Sequence, residues 1–171
     1  VLERLWSAWR ATYVEALGTA RIADSSTGSG EGSVFTQILD SGLPDDETHI
    51  IRRGETCFVI ANLFPYSSGH VLIVPYREVG DLDGLTVPET SELWSTVTDA
   101  SRALRSAYRP DGMNIGLNLG RPAGGSIPGH LHVHVLPRWT GDSNFMAAIA
   151  NTQTIPESLD VTTEKVRAAW P

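Results

Sequence analysis

The sequence predicts an α+β fold: a mostly antiparallel sheet of about five strands, one long helix and an N-terminal helical arm. Two patterns carry this expectation. Three short apolar runs follow one another with no helical stripe between them, and a single long stripe of helical period separates the third run from a fourth and fifth. A chain of 171 residues is long enough for one sizeable core and too short for two large ones.

From Leu2 to Leu17 the residues Leu2, Leu5, Trp6, Trp9, Tyr13 and Leu17 recur mainly at three and four residue steps, which places them on one face of a helix. A lone short helix is marginal in water, so this aromatic face is expected to dock on the body or on a second copy. The run Ser25 to Ser33 has no apolar side chain and reads as a flexible linker. The expected organisation is therefore an arm and linker over 1–33 and a body over 34–171 that ends in a helical tail.

The body opens with strands at Thr48–Arg52 and Cys57–Ala61 around a turn at Gly54, followed by the β-branched run His70–Pro75, together a three-stranded meander. Pro88 begins a helix in which Leu93, Trp94, Val97, Ala100, Leu104 and Tyr108 form one stripe. Pro110 forbids its continuation past Arg109. Alternating Met113, Ile115 and Leu117 within Gly112–Asn118 predict a strand, and strict alternation over His130–Leu136 predicts another. The loop between them, Leu119 to Gly129, is too rich in glycine for a tight hairpin. Glu157 to Trp170, preceded by Pro156, reads as a final helix.

Thirteen Lys and Arg against twenty Asp and Glu leave a formal charge of −7, the wrong sign for a protein whose affinity comes from neutralising nucleic-acid phosphates. No apolar run approaches the roughly 20 residues of a membrane span, and Glu3, Arg4, Arg10 and Glu15 make the first segment unlike a signal peptide. The single cysteine, Cys57, can make neither an internal disulfide nor a multi-thiolate metal site, which fits a reducing, cytoplasmic setting. Neither nucleic acid nor a membrane is an expected partner.

Chemistry concentrates in Gly129–Trp139, which holds three of the five histidines. Alternate strand residues face opposite sides, so His130, His132 and His134 are expected on one face while Leu131, Val133 and Val135 pack behind them. Each of these alone reads as a structural donor, but three in register need many partners if they are only structural. Two functional readings compete: imidazoles two apart sharing a zinc ion, or one imidazole attacking phosphorus while its neighbours fix its tautomer and donate to phosphate oxygens. The preceding loop favours the second. Asn118, Gly120, Gly124, Gly125 and Ser126 offer an amide, backbone N–H groups and a hydroxyl, which suit an oxyanion, and Arg121 and Arg138 add positive charge. Trp139, at the end of the histidine run, is a candidate substrate contact. His49 reads as solvated, Cys57 as a small buried apolar residue, and Asp142 and Asn144 as turn caps or as contacts to phosphate or a metal-bound nucleotide.

His130-Leu131-His132-Val133-His134-Val135-Leu136 resembles the His-φ-His-φ-His-φ-φ signature (φ hydrophobic) of the histidine triad superfamily of nucleotide hydrolases and transferases. Asn62 and Gly69-His70-Val71-Leu72-Ile73-Val74-Pro75 are similar to that family's ribose-binding asparagine and Gly-His strand. The resemblance runs from about Phe35 to Asn144. Within it, Gly116–Gly120, Ala123–Ser126 and Pro137–Phe145, with the Trp6 and Trp9 arm, look most like the actinobacterial diadenosine tetraphosphate phosphorylases, relatives of the fragile histidine triad branch. The resemblance implies an enzyme acting on the α-phosphorus of an adenosine polyphosphate in two displacements. His132 would be the nucleophile, His70, His130 and His134 its partners, Asn118, Gly124, Gly125 and Ser126 phosphate contacts, and Asn62 a ribose contact, with Leu63 and Phe64 near the base. Expected partners are a dinucleoside polyphosphate or adenosine nucleotide and inorganic phosphate. A homodimer or homotetramer is the expected assembly, and no cofactor is expected.

Two departures matter. Ser126 stands where most triad proteins have Gln, and the loop from Asn118 to Gly124 is one residue longer than in the hydrolases, which leaves space for phosphate as acceptor. Many bacterial relatives also carry Cys-x-x-Cys where Ser33-Val34-Phe35-Thr36 stands, and a further His where Glu78 stands. Hydroxyls do not replace thiolates as zinc ligands, so no structural zinc is expected. The rival readings are a hydrolase or phosphoramidase using the same His132 chemistry, a nucleotide-binding module in which the histidines only bind, and a metal-dependent hydrolase.

Overall fold

The computed structural model describes residues 32–142 and 157–171. The expected arm over residues 2–17, and its linker as far as residue 31, lie outside the described residues. The described chain runs α1 (Val34–Asp40), α2 (Asp45–Thr48), β1 (Ile50–Arg53), β2 (Cys57–Ala61), β3 (Val71–Pro75), α3 (Val87–Tyr108), β4 (Gly112–Leu117), β5 (Val133–Arg138) and α4 (Leu159–Ala168), with single 3-10 turns at Leu82–Gly84 and Arg121–Ala123. The five strands form one sheet in the order β1-β2-β3-β5-β4. Every pairing is antiparallel, with β5 inserted between β3 and the edge strand β4.

The α+β expectation holds. The sheet is five-stranded, β2 has the bounds expected, and β1, β3 and β4 agree within a residue or two at each end. The long helix starts where Thr86 caps it: the Thr86 hydroxyl accepts from the Glu89 N–H, and the Glu89 carboxylate accepts from the Thr86 N–H, a reciprocal capping box with Pro88 in the first turn. It ends at Arg109, whose left-handed φ of 46° closes the last turn one residue before Pro110.

Alternation along the strands divides the core in two. On one face, Ile51, Val59, Val71, Ile73, Val133 and Val135 pack against Leu93, Val97, Ala100 and Leu104 of α3 and Val166 of α4. On the other, Ile50, Phe58, Ile60, Leu72 and Val74 pack against Phe35 of α1. Each such side chain contributes about 2 kcal/mol relative to an exposed one, and both clusters hold the sheet rigid beneath whatever stands on it.

Three features differ from the sequence expectation. Helices α1 and α2 precede β1, in a stretch to which the sequence assigns no element. The ladder of β5 begins at Val133, not at His130. Residues 130–132 lie beyond the end of the β3 pairing, which stops at Ile73 opposite Val133, and are held by other bonds: the Leu131 N–H donates to the Val79 carbonyl at 2.6 Å. β5 also runs through Pro137 to Arg138. Its pairing with β3 ends at Val135, so the missing N–H of Pro137 costs no bond to β3.

Candidate active site

The histidines stand on the α1 face of the sheet. His134 lies opposite Leu72 of β3 on one side and Gly116 of β4 on the other. Gly116 puts no side chain beside it, and a Cβ there would meet nothing within 4 Å, so β4 does not crowd His134 from that side. Leu131, Val133 and Val135 point to the opposite core, as expected. The ring centroids of His132 and His134 are 5.0 Å apart, and those of His70 and His134 are 5.2 Å apart. His70 is delivered by the turn before β3, where Gly69 has a φ of +78° and a Cβ would come within 2.8 Å of the Tyr108 ring. Only glycine fits there.

Hydrogen bonds fix the protonation of each ring. The Tyr66 N–H donates to His70 Nδ1 at 3.0 Å, so the His70 proton sits on Nε2 and donates to His134 Nδ1, also at 3.0 Å. His134 must then carry its own proton on Nε2. That buried donor has no partner among the described residues. The His130 carbonyl, which can only accept, takes the His132 Nδ1 proton at 2.9 Å. Neutral His132 therefore holds a free lone pair on Nε2. A free imidazole lone pair and a buried, unpartnered N–H donor stand on neighbouring rings.

Burial keeps these rings neutral. It pushes His70 down to about 3, with the neighbouring His134 and His132 adding to the effect. Burial and then His132 push His134 down to about 4. His132 is lowered from 6.5, first by burial, although its bond to the His130 carbonyl opposes the shift. His130 is fully buried with both nitrogens engaged: Nε2 donates to the Pro75 carbonyl at 2.7 Å, and Nδ1 accepts from the Ser33 hydroxyl at 2.6 Å. Of the two roles open to His130, orienting its neighbour or meeting phosphate, only the first leaves these bonds intact.

Asn62 lies beside His70. Its Nδ2 donates to His70 Nδ1 at 3.2 Å, and its Oδ1 accepts from the Phe64 N–H at 3.1 Å. Leu63 and Phe64 are exposed on the same loop, as is Tyr66, whose ring stacks over His134 with centroids 5.9 Å apart. Tyr66 and the carbonyls of Pro75 and His130 escape sequence reading because backbone groups carry no side-chain signal.

The glycine loop is closed by its own backbone bonds. The Gly124 N–H donates to the Arg121 carbonyl at 2.9 Å and the Gly125 N–H to the Gly120 carbonyl at 3.2 Å, so the turn itself consumes both expected phosphate donors. Ser126 is exposed and makes no hydrogen bond among the described residues. Asn118 packs on the loop, its amide nitrogen 3.9 Å from where a Gly124 Cβ would stand. Arg138 is neutralised by Asp142, with bonds of 2.5 and 2.7 Å, so its charge is already matched and Asp142 acts as the expected brace of the turn. Trp139 meets Tyr108 edge-on at 6.3 Å, and no contact among the described residues brings it to the histidines. Cys57 is buried, as expected, and desolvation pushes its thiol up to about 11. His49 is only partly exposed and lies 3.6 Å from Asp160, not free in solvent.

This fold carries a row of imidazoles on one face of its sheet, with a free Nε2 on His132. Residues 44–141 match the HIT domain model, and the chain belongs to that family. Over 169 residues it is 40% identical to the AP-4-A phosphorylase of Mycobacterium tuberculosis (strain ATCC 25618 / H37Rv), covering 99% of this chain and 85% of that protein. It is also 36% identical over 91 residues to a bis(5'-adenosyl)-triphosphatase of Saccharomyces cerevisiae (strain ATCC 204508 / S288c), covering 53% of this chain and 44% of that one. Among solved structures, a Zn-bound histidine triad family protein from Mycobacterium smegmatis superposes with a TM-score of 0.66 at 25% identity, covering 81% of this chain and 92% of that chain. The C. elegans NitFhit protein superposes with a TM-score of 0.58 at 30% identity, covering 74% of this chain and 27% of that one.

The zinc in one of these neighbours requires a test of the donors here. Among the described residues no three or more His, Cys, Asp or Glu gather as metal ligands. Around His130 stand two hydroxyls, Ser33 and Thr36, and the Glu78 carboxylate, all occupied by hydrogen bonds to one another or to the imidazole. This set does not fit a structural zinc ion, which takes thiolates and imidazoles.

Proposed function

We propose that the protein cleaves diadenosine tetraphosphate by phosphorolysis, releasing ATP and ADP. The observation that carries this reading is the lone pair on His132 Nε2 beside the unpartnered N–H of His134. In the first step Nε2 bonds to the α-phosphorus of one adenylyl group and the bond from that phosphorus to its bridging oxygen breaks, so ATP leaves with the bridging oxygen. In the second, an oxygen of inorganic phosphate attacks the same phosphorus, the phosphorus–nitrogen bond breaks, and ADP departs while His132 regains its lone pair.

The His134 N–H, held in place by His70 and Tyr66, is pre-aimed at a non-bridging oxygen whose charge grows in each displacement. Asn62 retains one N–H and one oxygen lone pair for ribose hydroxyls. Exposed Leu63, Phe64 and Tyr66 offer an apolar lip for an adenine. The 40% identity to a phosphorylase over nearly the whole chain favours phosphate over water as acceptor, and the unengaged hydroxyl of Ser126 suits a small oxyanion beside the reacting phosphorus. The same reading makes the chain a cytoplasmic homodimer or homotetramer. Edge strand β4, with Asn114, Ile115 and Gly116 exposed, is a surface a second copy would cover.

The test is product identification. With diadenosine tetraphosphate and phosphate, the protein is expected to yield ADP and ATP in equal amounts, and His132→Ala to lose several orders of magnitude in rate. AMP in place of ADP, formed at the same rate without phosphate, would establish a hydrolase.

A further inference from the structure

We propose that Ser33, Thr36 and Glu78 form a metal-free clasp that fixes the position and tautomer of His130 and, through its carbonyl, aims His132. Ser33 caps α1 and Thr36 lies in its first turn, so the helix puts both hydroxyls on one side. Thr36 Oγ1 donates to Glu78 Oε2 at 3.1 Å, and the same oxygen accepts the Ser33 N–H at 3.0 Å. The Ser33 hydroxyl proton is then free to point at His130 Nδ1. Gly32 leads the chain into this knot at a φ of +95°, where a Cβ would press on Thr36 at 3.0 Å.

Residues 75–79 grip the other side. The Pro75 carbonyl takes the His130 Nε2 proton, the Val79 carbonyl takes the Leu131 N–H, and Glu78 lies between them in sequence. His130 thus bonds to protein through both nitrogens, and its carbonyl, the acceptor for His132 Nδ1, cannot turn without breaking the set. Phe35 reinforces this: its ring lies 5.3 Å from both His130 and His132, so α1 carries the hydroxyl that holds one ring and the wedge that spaces the two. The donor set that fails to suit zinc is complete as a hydrogen-bonded unit. Ser33, Thr36 and Glu78 are positioning residues: they act on His132 only through His130.

The inference rests on His132 as nucleophile for its kinetic arm, while its spectroscopic arm does not. In the full chain, Ser33→Ala is expected to lower kcat about tenfold to a hundredfold with KM changed less than about twofold, because a displaced nucleophile slows chemistry more than binding. Ser33→Thr, which keeps the hydroxyl, is expected to restore kcat to within about threefold. Glu78→Ala, on an exposed side chain, is expected to give a smaller loss in the same direction and carries the test if Ser33→Ala does not fold. Nitrogen-15 NMR of the imidazoles should show His130 protonated at Nε2 and His132 at Nδ1 in the wild type, with the His132 signal mixed between tautomers in Ser33→Ala. Unchanged kcat and unchanged tautomers in both alanine variants would overturn the clasp, as would zinc bound one per chain in the purified protein. If His132→Ala stays active, the functional reading fails, and the tautomer measurements still decide the clasp.

Discussion

As the proposed nucleophile, His132 must keep a lone pair on one nitrogen and remain neutral at working pH, and two different neighbours secure the two conditions. The His130 carbonyl settles which nitrogen is protonated, and burial keeps the ring from taking a second proton. The pH dependence follows with a definite sign. The active form is the neutral one, present above the folded pKa and lost as pH falls through it. The acid limb of kcat/KM should therefore have its midpoint below 6.5; a midpoint above that value would mean a charged partner that the described residues do not supply. Ser126 provides a second residue-level test. Its small, unengaged side chain is the argument for room beside the reacting phosphorus, so Ser126→Gln is expected to lower the proportion of ADP relative to AMP at fixed phosphate, read by ion-exchange chromatography. An unchanged ratio would remove Ser126 from the path of the acceptor.

The strands and the long helix are legible in sequence because local and tertiary signals agree there. Cys57–Ala61 is apolar throughout and lies between two neighbours, and Thr86 to Tyr108 carries its own capping box and stripe. Legibility fails where the tertiary fold decides. Alternation continues unbroken through His130, Leu131 and His132, and Leu131 is indeed buried, but whether a ladder forms there depends on where β3 ends. Helix α1 had a local signal, Ser33 followed by Val34, Phe35, Ile38 and Leu39, which the polar run before it obscures. The three imidazoles were legible as a row. Their tautomers were not, because the deciding partners are the Tyr66 N–H and the Pro75 and His130 carbonyls. Likewise, the sequence does not show that the N–H groups of Gly124 and Gly125 bond within the turn. At the Gly69 turn, which sets where β3 begins and so where His70 stands, Gly69→Ala combines a left-handed φ with a clash against Tyr108. It is expected to cost about 2–4 kcal/mol, measured by urea denaturation; a loss under about 0.5 kcal/mol would show that the turn relaxes without strain.

For the molecule as a whole, the buried neutral imidazoles couple stability to pH. His70 and His134 have folded pKa values of about 3 and about 4, below the 6.5 of an unfolded histidine, so the unfolded chain binds more protons between those values. Stability from this source is complete above 6.5 and falls as pH drops toward the folded values, on the order of 2 kcal/mol from each ring by about pH 4.5. Thermal unfolding between neutral and acidic pH should show a Tm that declines steadily, and a His134→Asn variant should show a shallower decline. A flat Tm would mean that the rings are solvated. The sheet, the two cores and α1 together hold His132 Nε2 in place, and the proposed function makes that nitrogen the nucleophile. That role is tested most directly by mixing the protein with diadenosine tetraphosphate in the absence of phosphate, quenching in base, where a phosphorus–nitrogen bond survives, and mapping the adduct by peptide mass spectrometry. An adenylyl group on His132, formed with release of ATP and discharged as ADP when phosphate is added, is the expected result. An adduct on another residue, or ATP released only once phosphate is present and with no adduct at all, would contradict it.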